Sequence, residues 1–263
     1  MTRITQYHVQ DRVATLTLNR PEARNALSPE VVSELIDLIR QADADAAVKC
    51  ILIQGTGEHF SGGGDIKHYH ELLSLSPEER YDVFERKVLV SNRLPNAILT
   101  AQKPVVIAAR GAVAGGGLAL CLAADFVLCG ESAFFLAAHV RIGLPLDCGL
   151  SGLLPAAMGI KAAKRIALLG DRIPAQEALA LGMVTQVVPD EQLPEVTAKL
   201  LKRLTAGPST AMALTKAQIN LSVLADMDTI FAAEVTGVAR CAASDDFKRG
   251  IESAVSGQPH PFA

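Results

Sequence analysis

Arg110–Ala124 reads RGAVAGGGLALCLAA and follows the apolar run PVVIAA at Pro104–Ala109. The pattern is a buried strand, a short turn, three consecutive glycines and an apolar helix with no charge before Asp125. Glycine has no Cβ, so Gly115, Gly116 and Gly117 let another group approach the backbone closely. Amides at a helix start lack intrahelical acceptors and sit at the positive end of the dipole. Delivered to the mouth of an apolar pocket, they would receive an anion or a developing oxyanion. The plainer reading is a turn that lets a helix pack closely on a sheet.

A second junction of the same kind lies about fifty residues earlier. The short apolar run Cys50–Gln54 leads through Gly55–Phe60 into Ser61-Gly62-Gly63-Gly64-Asp65-Ile66-Lys67. Two strand-end glycine junctions can feed one pocket with two backbone donors, as an oxyanion hole requires. Neither junction matches a phosphate-binding G-x-x-x-x-G-K-[ST] loop or a G-x-G-x-x-G dinucleotide fingerprint.

Outward from these junctions the chain is α/β. Tyr7–Gln10 and Val13–Leu18 alternate around Asp11-Arg12 as a hairpin. Ser28 caps a helix with Pro29 in its first turn. Ser76-Pro77-Glu78-Glu79 opens another, expected to run to about Thr100. Strands are expected at Val105–Ala109, Phe126–Cys129, Ala133–Leu136 and Val184–Val188, with a helix over Ala175–Leu181 stopped by Gly182. A helix begins near Gly149. From Asp190 onward the pattern is helical, over Glu191–Thr205, Thr210–Leu224, Thr229–Ala242 and Phe247–Val255. The expected division is therefore a core over 1–190 and a helical region over 191–263.

Composition narrows the function. With 49% hydrophobic and 20% charged residues the chain has an enzyme-like globular body, and its net charge of −3 recommends neither nucleic acid nor an anionic membrane. Apolar runs are broken before the roughly 18 residues a membrane span needs. MTRITQYHV lacks the apolar core of a signal peptide, so a cytoplasmic setting is expected. Cys50, Cys121, Cys129, Cys148 and Cys241 stand singly, without C-x-x-C pairs, which argues against a disulfide frame or a zinc site. Cys148 beside Asp147 has no histidine close in sequence to activate it as a nucleophile.

Four stretches together resemble the enoyl-CoA hydratase/isomerase, or crotonase, family: FSGGGDIK (Phe60–Lys67), PVVIAARGAVAGGGLALCLAADFVL (Pro104–Leu128), RIGLPLDCGLSGLLPAAMG (Arg141–Gly159) and AQEALALGMV (Ala175–Val184). The resemblance covers nearly the whole chain. It implies a crotonase-like spiral of ββα turns whose C-terminal helices build trimers, often paired into hexamers. It implies an acyl-CoA thioester substrate and no separate cofactor, coenzyme A being part of the substrate. The amides of Gly64 and Gly116 would hold the thioester oxygen as it becomes an enolate. Asp65-Ile66-Lys67 would lie along the adenine end of coenzyme A, with Gly62 and Leu144 among the substrate contacts.

Departures from the family pattern are as informative. Its hydratases carry one glutamate three residues after the oxyanion glycine and another about twenty further on; here those positions are Ala119 and His139. Adding water across a double bond usually engages two carboxylates, so ordinary hydration is expected to be slow. One acid remains in the segment, Asp147, and the GLPLDCG run most resembles the isomerases of phenylacetyl-CoA epoxide degradation. Its apolar neighbours imply burial, which would raise its pKa and make it a better base near neutral pH. Its competing role is a cap for the helix near Gly149. His139 reads as a polar wall that orients substrate or Asp147, or as a structural histidine. His68 and His70 would face solvent near the pocket mouth. Arg110 and Arg141 would meet phosphates or form structural ion pairs. Where relatives place an aromatic and a basic residue near the C-terminus, this chain has Ala254 and Gly257. Three activities remain in view: an isomerase, a hydratase or other lyase, and an inactive acyl-CoA-binding protein.

Overall fold

The structure, a computed structural model, describes residues 4–224, 226–259 and 261–262. Strands β1 (Thr5–Gln10) and β2 (Val13–Leu18) form the expected hairpin, closed by Asp11 and Arg12 at φ 50° and 64°. Two consecutive left-handed residues give a turn whose twist matches the strands it joins. Helix α1 (Pro29–Ala44) starts at Ser28, whose hydroxyl accepts from the Val31 amide. The chain then alternates through β3 (Cys50–Gly55), α2 (Ile66–Glu71), α3 (Pro77–Ser91), α4 (Arg93–Thr100), β4 (Val105–Ala109), β5 (Ala112–Ala114), α5 (Gly116–Ala123), β6 (Phe126–Gly130) and β7 (Phe134–Leu136). Helix α6 (Leu150–Leu169), β8 (Ile173–Pro174), α7 (Ala175–Ala180) and β9 (Gln186–Val188) complete the strand-bearing part. Helices α8 (Leu193–Ala206), α9 (Ser209–Val223), α10 (Met227–Ala242) and α11 (Asp245–Ser256) follow.

Six strands make the main sheet in the order β1-β2-β3-β4-β6-β9, parallel apart from the first pair. A second layer repeats the same progression with short segments. Leu27 bridges Gly64, Ser61 bridges Val113, β5 pairs with β7, and β7 with β8. Each turn therefore gives one strand to the main sheet, one short segment to the second layer, and a helix: a spiral of ββα turns. The glycine junctions stand in the second layer, so successive turns bring them side by side.

The expected helix from Ser76 to Thr100 is two helices that meet at Asn92. Pro95 explains the break, because proline removes one amide and crowds the carbonyl four residues back, here Ser91. Strands β5 and β8, too short for an alternation pattern, escaped the sequence reading. Leu16, Ile51, Ile53, Val105 and Ile107 are fully buried in the main core. A smaller apolar cluster joins Tyr69, Phe84, Leu144, Val238 and Phe247 across α2, α3, α10 and α11. Its rings meet edge to face, Tyr69–Phe84 at 5.3 Å and Phe84–Phe247 at 5.0 Å. No helix among the described residues is long and apolar enough to cross a membrane.

Candidate active site

Gly63 lies at φ +86°, and a Cβ there would stand 2.7 Å from the Ala114 carbonyl oxygen. Gly115 lies at φ +49°, and its hypothetical Cβ would fall 3.6 Å from Gly63 Cα and 4.0 Å from the Gly64 amide nitrogen. The left-handed backbone favours glycine at both positions, and at Gly63 the Ala114 carbonyl also leaves no room for a Cβ. The two junctions are thus pressed back to back. Gly64 follows one and Gly116, the first residue of α5, follows the other. Among the described residues neither amide donates to a protein acceptor.

Both glycines open into a cavity of about 370 Å³. Gly62, Ile66, His139, Leu144 and Asp147 line it as well, so the structure gathers most of the residues singled out from the sequence. Three stand elsewhere. Ala119 is fully buried inside α5, and Gly116 and Leu120 present that helix to the cavity instead. Asp65 is the N-cap of α2, accepting from the His68 amide and pairing with Arg20 at 3.3 Å. Lys67 is exposed outside the cavity lining. His68 lines the cavity with its side chain still partly in solvent, and His70 is exposed.

Asp147 is buried, with 8% of its surface exposed, and is the only carboxylate lining the cavity among the described residues. Its Oδ1 lies 3.0 Å from His139 Nε2. The expectation that burial raises its pKa is overturned: the pKa is lowered. Desolvation does push it up, but the His139 hydrogen bond and the positive field of His139 and Lys87 outweigh it. Asp147 is therefore ionised and accepts only, so His139 Nε2 carries the shared hydrogen. His139 Nδ1 is buried without a partner. His139 belongs to a short 3-10 turn, Ala138–Ile142, that holds its ring against the double-glycine junction, with Cε1 3.9 Å from the Gly115 Cβ position.

The capping role weighed for Asp147 belongs to another residue. Glu234, buried on α10, accepts from the Gly149 amide at 2.8 Å and from the Ser151 amide at 3.1 Å, at the start of α6. Asp147 is left free to face the cavity. Asn92, at the α3–α4 break, anchors the same loop by accepting from the Cys148 amide at 2.9 Å. Cys148 itself is buried, and burial beside Asp147 lifts its pKa well above the ordinary thiol value, so it is a neutral thiol rather than a nucleophile.

Sequence reasoning missed Tyr69, Lys87, Asn92 and Glu234. Tyr69 and Lys87 line the cavity, and a Cβ on Gly64 would overlap the Tyr69 hydroxyl. A signal for Lys87 was present: Val83, Lys87, Val90 and Leu94 recur at helical spacing, a stripe that is apolar except for the lysine.

Two amides without a protein acceptor beside one ionised acid in a cavity form an arrangement suited to receiving a developing negative charge. A family profile described as Enoyl-CoA hydratase/isomerase matches residues 8–262. The chain is 33% identical over 253 residues to the 1,2-epoxyphenylacetyl-CoA isomerase of Escherichia coli, covering 94% of this chain and 93% of that one. It is 32% identical to the trans-2-decenoyl-[acyl-carrier-protein] isomerase of Streptococcus mutans, covering 94% and 93%. Among solved structures, an enoyl-CoA hydratase from Mycobacterium avium subsp. paratuberculosis superposes with a TM-score of 0.89 at 34% identity over the full length of both chains. The chain belongs to the enoyl-CoA hydratase/isomerase family, and its fold is the crotonase fold.

Proposed function

We propose that the protein is an acyl-CoA isomerase that moves a double bond along the acyl chain. The observation that carries this reading is the single ionised carboxylate, Asp147, in the cavity served by the Gly64 and Gly116 amides. Asp147 takes the α proton of a 3-enoyl thioester, and the electron pair moves onto the thioester oxygen, where the two amides hold the dienolate. The same acid then returns the proton to the γ carbon and leaves the 2-enoyl thioester. One base that gives back what it took needs no second carboxylate and no redox cofactor. Hydration would need a further group to place and split water, and the positions concerned hold Ala119 and His139, the latter already engaged with Asp147.

The proposed assembly is a trimer or a pair of trimers. Support comes from apolar side chains left open on α6 and α9: Leu168 at 68%, Leu214 at 59% and Leu221 at 72% exposure.

Purified protein incubated with a 3-enoyl-CoA and, separately, with a 2-enoyl-CoA tests the activity through conjugated-enoyl absorbance. A rise with the first and persistence of the second is the expected pair of results. Loss of absorbance with the second identifies a hydratase. No change with either, despite tight coenzyme A thioester binding, identifies an inactive binding protein.

A further inference from the structure

Lys87 is a partly buried residue of α3 that lines the cavity between Val83 and Val90, one helical turn from each. Its amine lies 4.8 Å from the centre of the Tyr69 ring and 5.9 Å from that of Phe84. No carboxylate comes within ion-pair distance of it among the described residues; Asp147 acts on it only through its field. An ammonium carries three donors. The two rings attract the cation through their faces, and no hydrogen bond or ion pair from the described residues occupies its donors, so they are available to an acceptor that enters the cavity.

We propose that Lys87, backed by Tyr69, is a recognition site for a neutral oxygen on the acyl group itself: a hydroxyl, ketone, epoxide or ring ether a few bonds beyond the thioester. The inference rests on the acyl-thioester reading of the cavity and names its substrate class as oxygenated acyl groups. The proximity of Asp147 selects a neutral oxygen over a carboxylate. The groups whose fields reach Lys87 are the Tyr69 phenol, the Cys148 thiol and the ionised Asp147, and Asp147 is the only carboxylate that lines the cavity among the described residues. A substrate carboxylate would put a second negative charge beside the base.

The test measures binding of unreactive, saturated thioesters by titration calorimetry, so its outcome does not depend on which reaction follows. Hexanoyl-CoA is compared with 4-hydroxyhexanoyl-CoA, 5-hydroxyhexanoyl-CoA and 5-oxohexanoyl-CoA. The wild-type protein is expected to bind at least one oxygenated thioester about 10-fold or more tighter than hexanoyl-CoA, as a site built to hydrogen-bond an oxygen does. In Lys87→Met, which keeps the length of the side chain without its donors, that preference is expected to collapse towards one. Equal binding of all four by the wild type overturns the proposal without touching the isomerase reading, and so does a preference that survives in Lys87→Met. Failure to bind any thioester would sink the acyl-CoA reading as well.

Discussion

Replacing His139 by alanine removes one hydrogen bond, the 3.0 Å contact to Asp147, from between two buried groups. A hydrogen bond to a charged group contributes about 1.5–3 kcal/mol. Because this one is made to the ionised form, its loss disfavours that form and raises the Asp147 pKa. Lys87 still holds it down from the α3 side, while Cys148 and Glu234 are the other titratable groups close by. With about 1.4 kcal/mol per factor of ten, the ionised fraction on the acid side of the profile falls roughly 10- to 150-fold. The sign is fixed. The base is active when ionised, so the acid limb of the isomerisation profile moves to higher pH in His139→Ala. At alkaline pH, where Asp147 is ionised in both proteins, the rates draw together apart from what lost orientation costs. The assay is the pH dependence of kcat for 3-enoyl-CoA isomerisation, with His139→Gln as the rescue, since its amide still offers a neutral donor. An acid limb that does not move, or an equal fall at every pH that glutamine fails to restore, would refute the role given to His139.

Three further outcomes are expected. Asp147→Asn should stop solvent deuterium entering the α and γ carbons and lower turnover about 10²–10⁴-fold, the usual contribution of a general base, while thioester binding persists; full turnover in this variant removes Asp147 from the mechanism. Gly116→Pro deletes one oxyanion donor at a first helical position, where the backbone accepts proline once the flexible end of Leu27, 2.9 Å from a Cβ there, gives way; it should lower kcat about 10²–10³-fold in a protein with a normal circular dichroism spectrum. Glu234→Ala strands the buried Gly149 amide and should lower stability by about 1–3 kcal/mol in urea unfolding. Burial raises the Glu234 pKa, so its ionisation costs stability as pH rises through the carboxylate range. The gap between wild type and Glu234→Ala should therefore narrow from acid towards neutral pH, and a gap that widens contradicts the assignment.

Local chemistry made much of this legible in the sequence. The Ser28 cap, the Ser76–Glu79 capping box and the glycine junctions depend on neighbours in the chain, and each stands where the residues imply. What failed depends on contacts across the chain. Asp147 was expected to titrate high because the residues beside it are apolar, but its pKa is set by His139 and by Lys87 on α3, sixty residues earlier in sequence. Ala119 and Leu120 stand three and four residues after Gly116, both near its face of α5; Leu120 lines the cavity and Ala119 is fully buried, a choice made by packing that the spacing does not give. The resemblance sets Asp65 along coenzyme A, and the sequence does not reveal that its carboxylate also accepts from the His68 amide and pairs with Arg20.

Asp147 and Glu234 divide two tasks that a single acid in this loop could have been drawn into. The start of α6 attracts a carboxylate, because its first amides are unpaired and its dipole is positive there. Asp147 is two residues from Gly149 and is the near candidate in sequence. Had it capped the helix, its oxygens would be turned towards the Gly149 and Ser151 amides and lost to the cavity. Glu234 arrives from α10 and occupies those amides, and Asn92 fixes the Cys148 amide from the other side. The loop between them is thereby held without using the Asp147 side chain, whose hydrogen-bond partner is His139 on the cavity wall. The C-terminal helices thus enter the proposed chemistry indirectly. By covering the α6 terminus, α10 leaves the ionised Asp147 free on the wall of the cavity that Gly64 and Gly116 also line.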